Sequence, residues 1–126
     1  MENRPDLSMS QQPQIQTAIP QHRYQVGSYS VTLLGEIASG DGIDYRYILA
    51  FVPAGQNRPS LYICCERNRP PEPPGGAWRM RLVNNVMSEV LEAADRWSDA
   101  DTFAAEALEV GAQALGIDGE PVQRLM

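Results

Sequence analysis

The sequence predicts an α+β fold: a four-stranded antiparallel meander sheet with two C-terminal helices packed on one face. Three observations predict it. Four runs between Ser28 and Val83 alternate apolar and polar residues, turn signals separate them, and the apolar period lengthens to helical spacing after Val83. The meander follows from the short, local connections between the runs.

Residues 1–27 precede the first run. They are rich in proline and glutamine and show no apolar period. Such a segment buries too little surface to offset its ordering entropy, so it is expected to be a disordered tail ahead of a single domain at 28–126. His22, the only histidine, falls in that tail and is expected to be solvated.

The first strand is expected over 28–38, with Gly35 marking a bulge or a close backbone approach. The SGDG at 39–42 supplies a hairpin turn, since glycine accepts the positive φ that tight turns demand. The second strand spans 43–52 and stops at Pro53. The third, 60–68, holds Cys64 and Cys65. Neighbours on a strand point to opposite faces, so Cys65 is expected inside and Cys64 outside. The loop 67–76 is polyproline-prone; Arg67, Pro70 and Pro73 match an RxxPxxP spacing but read best as a stiffened hairpin connection. The fourth strand is 77–83.

A period of two assigns the faces. Tyr29, Val31, Leu33, Ile37, Tyr45, Tyr47, Leu49, Phe51, Leu61, Ile63, Cys65, Trp78, Met80 and Leu82 share the inner one. The outer face carries Leu34, Ile48, Ala50, Val52, Tyr62 and Cys64 beside Arg46, Arg79 and Arg81. That is more apolar surface than an open sheet face usually shows, and arginines around an apolar centre are the make-up of a protein contact. These nine residues are therefore the expected interaction surface, meeting either a second copy in a homodimer or an acidic protein partner. Two arrangements would remove it: a bulge at Gly35 that swaps faces beyond it, or an N-terminal segment folded back over the patch.

Beyond Val83, Val86, Met87, Val90, Leu91, Ala94 and Trp97 recur at helical spacing, with Asn84 or Asn85 as N-cap. Ser98 with Asp101, supported by Asp99, opens a second helix that Gly116 ends. Phe103, Ala104, Ala107, Leu108, Gly111 and Leu115 form its apolar stripe.

The net charge of −6 argues against nucleic acid or an anionic membrane as the main partner, because both attract basic surfaces. Charge is uneven. Residues 84–126 hold nine acids against two arginines, while 1–83 are close to neutral. No apolar run approaches the roughly 20 residues of a membrane span, and no secretory h-region is visible, so a cytoplasmic protein is expected.

Catalytic constellations are absent from the sequence: no GxSxG, phosphate-binding glycine loop, dinucleotide fingerprint or HExxH occurs. Two adjacent cysteines and one histidine offer no metal spacing, so neither metal nor cofactor is expected. The expected function is that of a non-enzymatic protein-interaction or adaptor module. The alternative is a small-molecule-binding protein or enzyme with a pocket between sheet and helices, lined by Tyr45, Tyr47, Trp78 and Trp97. Element order, size and acidity are similar to those of several classes of small bacterial adaptor and secretion chaperone, with no motif carrying a family assignment.

Overall fold

The computed structural model describes residues 12–71 and 73–126. Among them the chain forms one seven-stranded antiparallel sheet and a single helix, which corrects the expected four strands and two helices. The strands are β1 (Ile15–Val26), β2 (Tyr29–Ser39), β3 (Tyr45–Pro53), β4 (Leu61–Arg67), β5 (Trp78–Asn84), β6 (Ser88–Ala94) and β7 (Val122–Arg124). The helix α1 (Ala100–Leu115) lies between β6 and β7. Strand order is β6-β5-β4-β3-β2-β1-β7, so the first six strands are a meander and β7 closes on the far edge beside β1.

The expected tail contributes β1, the longest strand, which pairs with β2 from Val26↔Tyr29 to Ile15↔Ser39. Its apolar residues show no clean period of two because its pairing with β2 shifts register three times. A strand broken by bulges loses the alternation by which sequence reading finds it. The disorder expected of residues 1–11 lies outside the described residues.

The expected first C-terminal helix is β6. The Asn84 side chain accepts from the N–H groups of Val86 and Met87, both at 2.9 Å, and turns the chain into a hairpin instead of capping a helix. Pairing with β6 satisfies the backbone groups of β5 that would otherwise form an open edge. Half of the apparent helical stripe is consequently exposed: Val86 at 83%, Met87 at 39% and Leu91 at 38%.

The second helix forms as the caps require. Asp99 is the N-cap, its carboxylate accepting from the N–H of Thr102 at 2.8 Å. Gly116 adopts the left-handed conformation at φ 72° and donates to the carbonyls of Ala112 and Gln113. The helix lies against β2, β3 and β4. A Cβ on Gly111 would fall 2.3 Å from Phe51 Cζ, so glycine is what allows this close approach.

The main core lies between this helix and the sheet. Val31, Leu33, Leu49, Phe51, Leu61, Ile63, Cys65, Trp78, Met80 and Leu82 share it with Trp97, Phe103, Ala104 and Ala107. Two residues expected there lie elsewhere. Ile37 and Tyr45 join a second apolar cluster on the opposite face, with Ile48, Cys64 and Val83. Glu36, at φ 47°, marks the bulge that turns Ile37, one residue beyond the expected Gly35. A register shift between Tyr45 and Tyr47 turns Tyr45 and sends Arg46 to the helix side.

Candidate functional site

The outer sheet face, expected to be an open contact surface, is largely filled by the chain itself. Ile48 and Cys64 are fully buried, and Ala50 and Arg81 are 7% exposed. Ile15, Leu34, Ile37, Ile43 and Tyr62 pack around the cluster of Tyr45, Ile48, Cys64 and Val83. The segment before β1 reaches across this face: Gln12 Nε2 donates to Asn85 Oδ1 in the β5–β6 hairpin at 3.1 Å, although four strands separate β1 from β6 in the sheet. Of the two arrangements that would remove the patch, the folded-back segment is present, whereas the bulge near Gly35 turns Ile37 and leaves Ile48 and Cys64 on the outer face. Of the nine expected contact residues, Leu34, Val52, Tyr62 and Arg79 remain half-buried on this face, and Arg46 has left it.

The arginines on this face serve a buried polar network. Glu66 is fully buried; its Oε2 accepts from Arg79 Nε at 2.9 Å and its Oε1 from Arg81 Nε at 2.7 Å. Arg81 also donates to Ser88 Oγ at 3.0 Å and to the Tyr45 hydroxyl at 3.3 Å, and Tyr45 in turn donates to Asp41 Oδ2 at 2.7 Å. Charges alternate along the chain, which is how ionic groups persist inside an apolar cluster. Burial, then the bond to Asp41, pushes the Tyr45 phenol up and keeps it neutral. Burial opposes the charge on Asp41, but bonds from Tyr45, Gln14 and Ile43 outweigh it and hold the carboxyl below its usual range. The stability this confers is complete above the ordinary aspartate range and lost as pH falls through the lowered value.

Tyr45, Tyr47, Trp78 and Trp97 do not converge on a pocket. Tyr45 faces the other side of the sheet. Tyr47 stacks on Phe103 at 5.7 Å, and Trp97 meets the same ring edge-on at 6.2 Å with no exposure. Arg46 and Arg67 lie over Trp78 with guanidinium carbons 4.2 and 4.5 Å from the ring centroid. His22 leaves its expected solvated role: it lies between Asp101, 3.2 Å from Nε2, and Arg124, 2.8 Å from Nδ1, joining β1, α1 and β7.

Three surface clefts carry other residues. One of about 460 Å³ lies between Gln12, Asn85 and the β3–β4 hairpin and includes Tyr62 and the buried Ser60 hydroxyl. A second, about 100 Å³, is lined by Gly42, Ile43, Asp44, Arg67, Arg69 and Arg79. The third, about 330 Å³, runs between α1 and the approach to β7. Its walls are Ala105, Leu108, Ala112 and Val122, and its other lining residues are Glu109, Asp118 and Glu120. The acidity of residues 84–126 was visible in the sequence; that a groove lies within it depends on β7 pairing with β1.

Among the described residues no group of three or more His, Cys, Asp or Glu is placed to hold a metal, and no helix is long and apolar enough to cross a membrane. Compared with known proteins, the chain matches no family model, no curated protein and no solved structure.

The cysteines lie on opposite faces as expected, Cys65 in the main core and Cys64 in the outer cluster, but both are free and buried, so they do not differ in exposure. Burial pushes the Cys65 thiol up to about 12 and raises Cys64 further. At pH 8 neither thiol is expected to react with a disulfide reagent in the native state, and both should become reactive together across the urea transition. Fast native labelling of one residue would place it at the surface.

Proposed function

We propose that this chain is a non-enzymatic protein-interaction module whose contact site is the groove between α1 and β7. One observation carries the reading: an apolar channel of about 330 Å³ has three carboxylates and no basic residue in its lining. Val122, in the same lining, is 51% exposed although apolar. Apolar walls supply the affinity of a contact, and a rim of one charge sign selects the partner. The partner is a segment with an apolar anchor flanked by lysine or arginine. A second copy is disfavoured, since it would bring the same carboxylates to the contact.

The test uses fluorescein-labelled decapeptides with a central leucine or phenylalanine and arginine flanks, read by anisotropy. Ala105 is exposed on the groove wall, so Ala105→Arg adds opposing charge without touching the core. Binding is expected to weaken about tenfold in that variant, the size of one lost charge-assisted contact. It should also fall with added salt. Equal binding to the variant, or equal binding of peptides with glutamate flanks, would remove the groove as the site.

A further inference from the structure

The sheet ends on β6, which pairs with β5 on one side and with no strand among the described residues on the other. The opposite edge is a poorer template for a further strand. There β7 has three residues, and β1 beyond it carries Pro20 and three register shifts. β6 runs for seven residues without proline. Its one irregularity is the extra residue Leu91, between Val90 paired to Arg81 and Glu92 paired to Met80. An edge of this kind presents N–H and C=O groups that another extended chain can pair.

Pairing with β5 assigns the two sides of this edge. Glu89 lies opposite Leu82 and Glu92 opposite Met80, both core residues on the helix side of the sheet. Ser88 lies opposite Val83, of the outer cluster, and Val90 opposite Arg81. Glu92 pairs with Arg96 at 2.8 Å, whereas Glu89 is exposed and has no hydrogen bond or ion pair among the described residues. Met87 and Leu91 add exposed apolar side chains to the same hairpin. The edge is therefore acidic toward the helix and apolar toward the outer face.

We infer that β6 is a strand-addition site for an extended peptide segment that alternates basic and apolar residues. Backbone pairing supplies contacts that any sequence can make, and alternate side chains supply the selection. In a strand paired to β6, side chains of one parity lie beside Glu89 and Glu92, and those of the other beside Val90. Lysine or arginine suits the first set, and valine, isoleucine or leucine the second. A second copy of β6 is a worse occupant, since it would set the same carboxylates along the seam. The site lies at the edge of the sheet opposite to β7 and stands whether or not the groove of α1 binds protein.

The probe is a fluorescein-labelled heptapeptide of alternating lysine and valine, titrated into the ¹⁵N-labelled full chain. Anisotropy reads the affinity and amide shifts read the place. Saturable shifts are expected over Ser88–Ala94, with slower amide exchange along that strand. Glu89→Lys, at an exposed position, should weaken binding about tenfold, as attraction becomes repulsion across the seam. Ala105→Arg, in the groove of α1, should leave it unchanged, which separates this site from that one. A peptide with its lysines and valines in two blocks, and one N-methylated at every residue, should each bind about tenfold more weakly. Shifts centred on α1 and β7, or equal binding to Glu89→Lys, would overturn the assignment. So would equal binding of the block peptide, the N-methylated peptide or a glutamate–valine analogue.

Discussion

Replacing Glu66 by alanine is expected to remove about 3–5 kcal/mol of folding stability, the range seen when one partner of a buried ion pair is deleted. Glu66 is fully buried on the outer face of the sheet, and its two oxygens each take one guanidinium. Without that carboxylate, Arg79 and Arg81 would place two like charges close together, Arg81 with only 7% of its surface exposed. The attraction to Glu66 that offsets part of their desolvation would be lost. Urea denaturation is the measurement, read as a fall in midpoint at constant slope. Pairing the change with Arg81→Met should recover much of the loss, because an apolar replacement of a buried ionic group is often neutral. A loss below about 1 kcal/mol for Glu66→Ala would mean that the guanidiniums reach water, as for an exposed pair.

A comparable loss is expected for Trp97→Ala, about 3–5 kcal/mol for a buried aromatic truncated to alanine, or roughly 10–20 °C in Tm. Trp97 has no exposed surface and meets Phe103 edge-on. It also joins elements by polar contacts that truncation would disturb. Its Nε1 donates to Glu106 Oε2 at 3.1 Å, and Arg96 stacks on its ring at 4.9 Å while pairing with both Glu92 and Glu106. Its carbonyl accepts from Arg46 Nη1 at 3.0 Å, tying the start of β3 to the approach of α1. Trp97→Phe should cost much less, keeping most of the packing and losing the N–H. Equal losses for alanine and phenylalanine would assign the effect to the bond with Glu106; a negligible loss for alanine would mean that the helix is not anchored here.

The sequence by itself determined the central meander, the helix from its Asp99 cap to Gly116, and most of the inner face. Each of these rests on local patterns that a few residues specify. Alternation placed Val31, Leu33, Leu49, Phe51, Leu61, Ile63, Cys65, Trp78, Met80 and Leu82 in the core because a strand's period of two is a property of its own backbone. The Asp99 carboxylate and the left-handed Gly116 act within a few residues of themselves.

Only the tertiary structure decided the rest. The stretch from Val86 to Trp97 satisfies a helical period as well as a strand, and pairing with the open edge of β5 selected the strand. β1 lost its alternation to register shifts, and its existence depends on the β2 edge it covers. Bulges at Glu36 and before Tyr47 moved Ile37, Tyr45 and Arg46 across the sheet, and a one-residue slip reverses every face assignment it reaches. The expected contact surface filled with the chain's own residues for the same reason. The groove argued above was invisible in sequence because it takes shape only when β7, following α1, pairs with β1 at the far edge of the sheet. Side chains so far apart in the chain become neighbours only through strand pairing, a long-range interaction that local patterns do not encode.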